Sequence, residues 1–176
     1  MKSKSIPIKK YIFKYSLLLG ILIIIYNFLM YVTGNYTVKN LLHYLILFLL
    51  TVFSILIGLI SFKKDNNFFI NLGEALKIGI GITVFGGLLI TLWEILLTKV
   101  IDPDIINQLT DVQIKKIAET STDFTQENID RKIEIVEKFS SPMIMLLIAL
   151  LEDIIVGFFL SLIIGLIIRK KRDPFN

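Results

Sequence analysis

The chain contains no cysteine and only one histidine. The lack of thiols removes disulfide bridges, thiolate metal sites and cysteine nucleophiles together. With a single imidazole and no glycine-rich phosphate loop, only carboxylates remain for acid–base chemistry, and no nucleophile is paired with them. The chain is therefore not expected to be an enzyme, and it shows no cofactor-binding or metal-binding pattern. Charge is also sparse, at 19% of 176 residues. A net charge of +4 and a pI near 9.2 would suit a nucleic-acid binder. The basic residues, however, flank apolar blocks instead of forming a stripe, so no nucleic-acid partner is expected.

What the chain has in excess is apolar residues, at 55% with a mean hydropathy of +0.74, where soluble domains sit nearer about 45–50%. The excess falls into four blocks. Lys14 and Lys39 bracket 24 uncharged residues, and Lys39 and Lys63 bracket 23. Lys77 to Lys99 encloses 21 residues interrupted only by Glu94, and Lys138 to Arg169 encloses 30 interrupted only by Glu152 and Asp153. A spanning helix needs about 20 apolar residues, and backbone groups in lipid must pair within their own segment. The expected fold is all-α: a polytopic membrane protein forming a four-transmembrane-helix bundle, one membrane domain over residues 1–176. Its spans are expected near 14–34, 41–62, 75–98 and 143–168, with a helical loop at 101–142 between the third and fourth. The first block is too long for a signal-peptide core, and Asn27 to Asn35 offers no small-x-small cleavage site, so it reads as a retained helix.

Lysine and arginine counts set an expected direction. Twelve lie on the side of the two tails and the short second loop, against seven on the other side, six of those at or in the long third loop. The positive-inside rule then puts both termini in the cytoplasm and the loop at 101–142 outside. That loop carries nine acidic and five basic residues. Asp102-Pro103 reads as an N-cap followed by proline at the first helical position. Ile105, Leu109 and Val112 then share a face, and Ile129, Ile133 and Val136 mark a second helix after a break at 120–125. About 40 residues without disulfides cannot fold alone, so these faces are expected to rest on the bundle, the lipid bilayer or a protein partner. Net acidity counts against anionic lipid, and a helical hairpin capping the bundle is favoured.

Each span also carries small and polar residues at helical spacing. They are Ser16, Gly20, Asn27 and Tyr31 in the first; Thr51, Ser54, Gly58 and Ser61 in the second. The third has Gly79, Thr83, Gly87, Thr91, Glu94 and Thr98, and the fourth Ala149, Asp153, Gly157, Ser161 and Gly165. Such stripes let helix backbones approach in lipid, and packing is their expected role. Polar groups from all four spans fall near one level at the outer ends: Asn27, His43, Glu94, Glu152 and Asp153. Ionisable groups in a span are a functional hypothesis by default. Glu152 and Asp153 lie only three or four residues inside the boundary, Glu94 is similarly shallow and His43 sits at the outer edge of its helix. Acids at that depth also snorkel to water, and the structural reading is preferred for them.

One segment points to a family. Leu72-Gly73-Glu74-Ala75-Leu76-Lys77-Ile78-Gly79 opens the third span after a short basic loop. The fourth span runs into Arg169-Lys170-Lys171-Arg172, and a long polar loop beginning Asp102-Pro103-Asp104 lies between. The chain resembles the DUF4199 family of small four-helix bacterial membrane proteins, in which a Gly-(Glu/Gln)-Ala-x-Lys-x-Gly stretch occupies this place. The resemblance implies a bacterial inner-membrane location and no activity. The expected function is a non-enzymatic scaffold or regulatory protein, with residues 101–142 as a contact for a membrane or extracytoplasmic partner. The alternative is a small transporter or an ion- or metal-handling protein using the outer-face cluster of carboxylates and His43.

Overall fold

A computed structural model of the chain describes residues 6–120 and 142–170. Five α-helices run through them: α1 Ile8–Val32, α2 Leu41–Asp65, α3 Leu72–Leu96, α4 Ile105–Thr120 and α5 Pro142–Ile168. Helices α1, α2, α3 and α5 are long and apolar enough to cross a membrane, which makes this a multi-pass membrane protein. At about 1.5 Å per residue, 25 residues reach about 38 Å, more than a hydrocarbon core of about 30 Å. The second helical stretch expected around Ile129, Ile133 and Val136 lies outside the described residues.

The helices overrun the charge-bracketed gaps. α1 starts at Ile8, ahead of Lys9, Lys10 and Lys14, and α2 continues through Lys63 and Lys64 to Asp65. Charges mark where a chain leaves hydrocarbon, whereas a helix ends where its backbone bonding is capped. α1 stops in a Schellman turn: Gly34 takes φ +70°, its N–H reaches Tyr31 O, and the Asn35 N–H reaches Met30 O. α2 stops the same way, with Asn67 in the left-handed position and the Phe68 N–H bonded to Lys63 O at 2.8 Å. α3 begins with a capping box, Asn71 Oδ1 accepting from Glu74 N–H and Glu74 Oε2 accepting from Asn71 N–H, each at 2.9 Å. Its far end widens into a π turn over Leu97–Ile101.

α3 is the hub. α1 and α5 both lie along it, while α2 closes against α1 and reaches α3 and α5. The α3–α5 seam is antiparallel and built on the small-residue stripes, in register at every fourth position. A Cβ on Gly165 would meet Ala75 Cβ, one on Gly79 would meet Ser161, one on Gly157 would meet Thr83, and one on Gly87 would meet Asp153. On the opposite side, Gly86 lies against Leu19, Gly81 against Ile12 and Gly20 against Leu89. Without a hydrophobic drive between helices in lipid, such close approach supplies much of the association energy.

The lysine-rich end is tied together by side-chain bonds. Tyr11 Oη donates to Asp65 Oδ2 and Tyr15 Oη to Ser61 Oγ, each at 2.6 Å. Lys63 Nζ donates to Ile168 O at 2.8 Å, capping α5. Ile70 and Lys170 exchange both backbone hydrogen bonds, at 3.1 and 3.0 Å, which pins the α2–α3 loop to the end of α5. Most of the core lies on this side of the bundle, in Tyr11, Tyr15, Leu19, Ile55, Leu59, Phe62, Ile70, Ala75, Ile78, Ile82 and Ile164, with Ile23 further along α1.

Candidate functional site

The other end is built differently. From Leu88 to Leu96 of α3 and from Tyr44 to Phe53 of α2 no residue is buried, and among the described side chains of α5 none is buried before Gly157. Among the described residues, burial is therefore dense at the lysine-rich end and sparse at the acidic end, where Asn27, His43, Leu97 and Ile105 are the buried exceptions. The carboxylates that interrupt the spans sit in this sparsely buried half.

Asp153 is positioned by α3. Its carboxylate occupies the niche left by the missing side chain of Gly87, and its backbone oxygen accepts from Thr83 Oγ1 at 2.6 Å. Among the described residues no donor is bonded to the carboxylate itself. Glu94 is exposed on α3, within electrostatic reach of Asp153, of Tyr36 and of Lys39. Glu152, one residue from Asp153 and so about 100° around the helix, is exposed.

His43 belongs to a different seam. His43 is 9% exposed; its Nδ1 lies 3.1 Å from Tyr26 Oη, and the ring sits 5.4 Å from the Tyr26 ring and 5.5 Å from Tyr44. Its backbone N–H donates to Asn40 Oδ1, the N-cap of α2. Asn27 is buried on α1. Of the five polar residues, Glu94 and Asp153 are thus within electrostatic reach of each other at the α3–α5 seam, His43 meets Tyr26 at the α1–α2 seam, Glu152 is exposed and Asn27 is buried on α1. Lys39 in the α1–α2 loop acts on the charge of both His43 and Glu94. Among the described residues no three His, Asp or Glu side chains come together to hold a metal ion.

Three residues of this end carry weight that sequence alone did not signal. Tyr36, in the α1–α2 loop, has its pKa pushed up to about 12 by burial and then by the negative charge of Glu94. Its hydroxyl stays protonated and able to donate at any physiological pH. Lys39 read only as a span marker. Trp93, near the end of α3, meets Phe28 edge-on at 6.0 Å. Its buried indole Nε1–H has no partner among the described residues. None of these could be found from spacing, because each depends on which loop or helix lies opposite.

The segment carrying the family resemblance serves the fold. Glu74 closes the capping box, Ala75 is fully buried against the Gly165 position, and Gly79 admits Ser161. A family model described as "Protein of unknown function (DUF4199)" matches residues 14–170. No curated protein and no solved structure matches the chain.

Proposed function

The chain belongs to the DUF4199 family, and we propose that it is a non-enzymatic interaction protein that engages a membrane partner through the sparsely buried, acidic half of its bundle. The reading includes the bacterial inner membrane as its location and both termini in the cytoplasm, from the lysine and arginine asymmetry. One observation carries it: Tyr44–Phe53 of α2, Leu88–Leu96 of α3 and the described side chains of α5 before Gly157 are all unburied, and Glu94 and Asp153 stand among them. A carboxylate in that setting favours a partner helix bearing a hydrogen-bond donor or a cation, since interhelical polar contacts there contribute about 0.6–2 kcal/mol. The test is a photo-crosslinking amino acid at Leu151 or Ile155, compared with one at Phe13 on the outside of α1. Discrete protein adducts at the first two positions that disappear in Asp153→Asn are expected. Lipid adducts alone at all three positions would sink the reading. Direction is tested by fluorescent reporters fused after Asn176 and within residues 121–141. Only the first should fluoresce in the cytoplasm.

The same carboxylates favour a second reading, ion handling. Asp153 has no hydrogen-bond donor among the described residues and shares its field with Glu94, an arrangement that suits reversible proton or cation binding. Proton or cation flux in liposomes that stops in Asp153→Asn would support it, and flux equal to that of empty liposomes would remove it.

A further inference from the structure

A cavity of about 340 Å³ opens at the acidic end, outside the α3–α5 seam. It is lined by Tyr31, Val32, Gly34, Tyr36 and Thr37 on one wall and by Asp102, Ile105 and Gln108 on the other. These residues stand at the ends of α1 and α3 and the start of α4, where two spans finish. The cavity therefore sits at headgroup level.

Both walls are fixed by backbone bonding. The first is the turn that ends α1, held by Thr33 N–H to Leu29 O, Asn35 N–H to Met30 O and Val38 N–H to Asn35 O, at 3.0, 2.8 and 3.0 Å. The second is the hinge after the π turn, held by Asp102 N–H to Leu97 O at 2.8 Å and Ile105 N–H to Asp102 O at 3.2 Å. Ile105, 3% exposed, gives it an apolar floor. The site is thus formed in advance, which lowers the ordering cost of binding. Its volume is at the small end of ligand sites, about 300–1,000 Å³.

The lining selects a ligand class. Asp102 supplies a formal negative charge, and among the described residues no salt bridge neutralises it. Its Oδ1 accepts from Asp104 N–H at 3.2 Å. Glu94 acts on Tyr36 from outside the lining, its own charge partly offset by Lys39. An anion is repelled here, and a neutral polyol leaves the Asp102 charge uncompensated. Two tyrosines beside a carboxylate suit an organic cation, which gains from the ring quadrupoles as well as from the charge. Thr37, Gln108 and the tyrosine hydroxyls add hydrogen-bonding groups. From this lining we infer that the cavity binds a small organic ammonium, held by Asp102, Tyr31 and Tyr36. The ammonium is supplied either by a lipid headgroup of the adjoining leaflet or by a free amine.

The test uses the full chain in detergent micelles, titrated calorimetrically with tetramethylammonium and with ethanolamine. Neopentyl alcohol at matched ionic strength serves as the neutral counterpart. Saturable binding of at least one ammonium is expected, with at least tenfold loss in Asp102→Asn and a similar loss in Tyr36→Leu, while Tyr36→Phe keeps most of the affinity. Circular dichroism checks that each variant stays helical; if Asp102→Asn does not, the two Tyr36 variants decide the matter. A second arm measures phosphatidylethanolamine retained from mixed bilayers by native mass spectrometry. Retention that Asp102→Asn abolishes assigns the headgroup as the source, and free-amine binding without retention assigns a soluble ligand. Equal response to the alcohol, affinity unchanged by the substitutions, or neither binding nor retention overturns the inference.

Discussion

Replacing Gly157 with alanine tests whether the α3–α5 seam holds the bundle together. The added Cβ would lie 2.9 Å from Ile80 Cα and 3.2 Å from Gly79 O, and against Thr83 Oγ1 as well. Carbon atoms rest at about 3.5–4.0 Å, so the helices must part by roughly 0.6–1.1 Å. Neither Ile80 Cα nor Gly79 O can rotate away, because both are backbone. Overpacking of this kind costs about 1–3 kcal/mol. Separation also weakens the 2.6 Å bond from Thr83 Oγ1 to Asp153 O, which contributes about 1 kcal/mol. Alanine returns about 1 kcal/mol through its helix propensity. The net expectation is a loss of about 1–3 kcal/mol. Gly73→Ala, whose Cβ meets only Asn71 Oδ1 at 3.3 Å, should be near neutral. Reversible unfolding in dodecyl maltoside titrated with sodium dodecyl sulfate, followed by circular dichroism, measures both. Gly157→Ala as stable as wild type, or no less stable than Gly73→Ala, would refute the argument that backbone contact at this seam carries stability.

The register of that seam is open to direct test, because the wild-type chain has no cysteine. Ala75→Cys with Gly165→Cys should oxidise to an intramolecular disulfide seen as a gel-mobility shift, whereas Ala75→Cys with Asp153→Cys should not. Removing the α3 capping box with Asn71→Ala should cost about 1 kcal/mol in the same detergent titration, and Asn71→Asp should recover most of it. The Tyr36 phenol should stay protonated until about pH 12. Because its folded pKa is raised, its contribution to stability is whole below pH 10 and is lost as the pH climbs through about 12. Glu94→Gln removes one cause of the shift and should move the Tyr36 signal in ¹³C-tyrosine spectra downward. No movement would mean that burial alone sets it.

Much of the fold is local in origin and so was legible in the chain. Lipid demands internally bonded helices of a set length, so four apolar blocks dictated four spans and the charges between them fixed their order. Gly34, Asn67 and the Asn71–Glu74 pair stop or start helices through bonds within a few residues. The stripes on α3 and α5 announced packing surfaces, since each is a property of one helix. What no single segment contains is which stripe meets which. That α3 is the hub, that Gly87 makes room for Asp153, and that α1 and α5 lie on its two sides follow from how four surfaces interlock. The outer polar residues show the same limit. Equal depth could be counted along each helix, but depth says nothing of rotation about the axis. Tertiary packing turned His43 towards Tyr26 and left Glu94 beside Asp153, Lys39 and Tyr36. The cavity under Asp102 is more non-local still, for its two walls lie some 70 residues apart in the chain. Only folding brings a helix-ending turn and a π-turn hinge face to face.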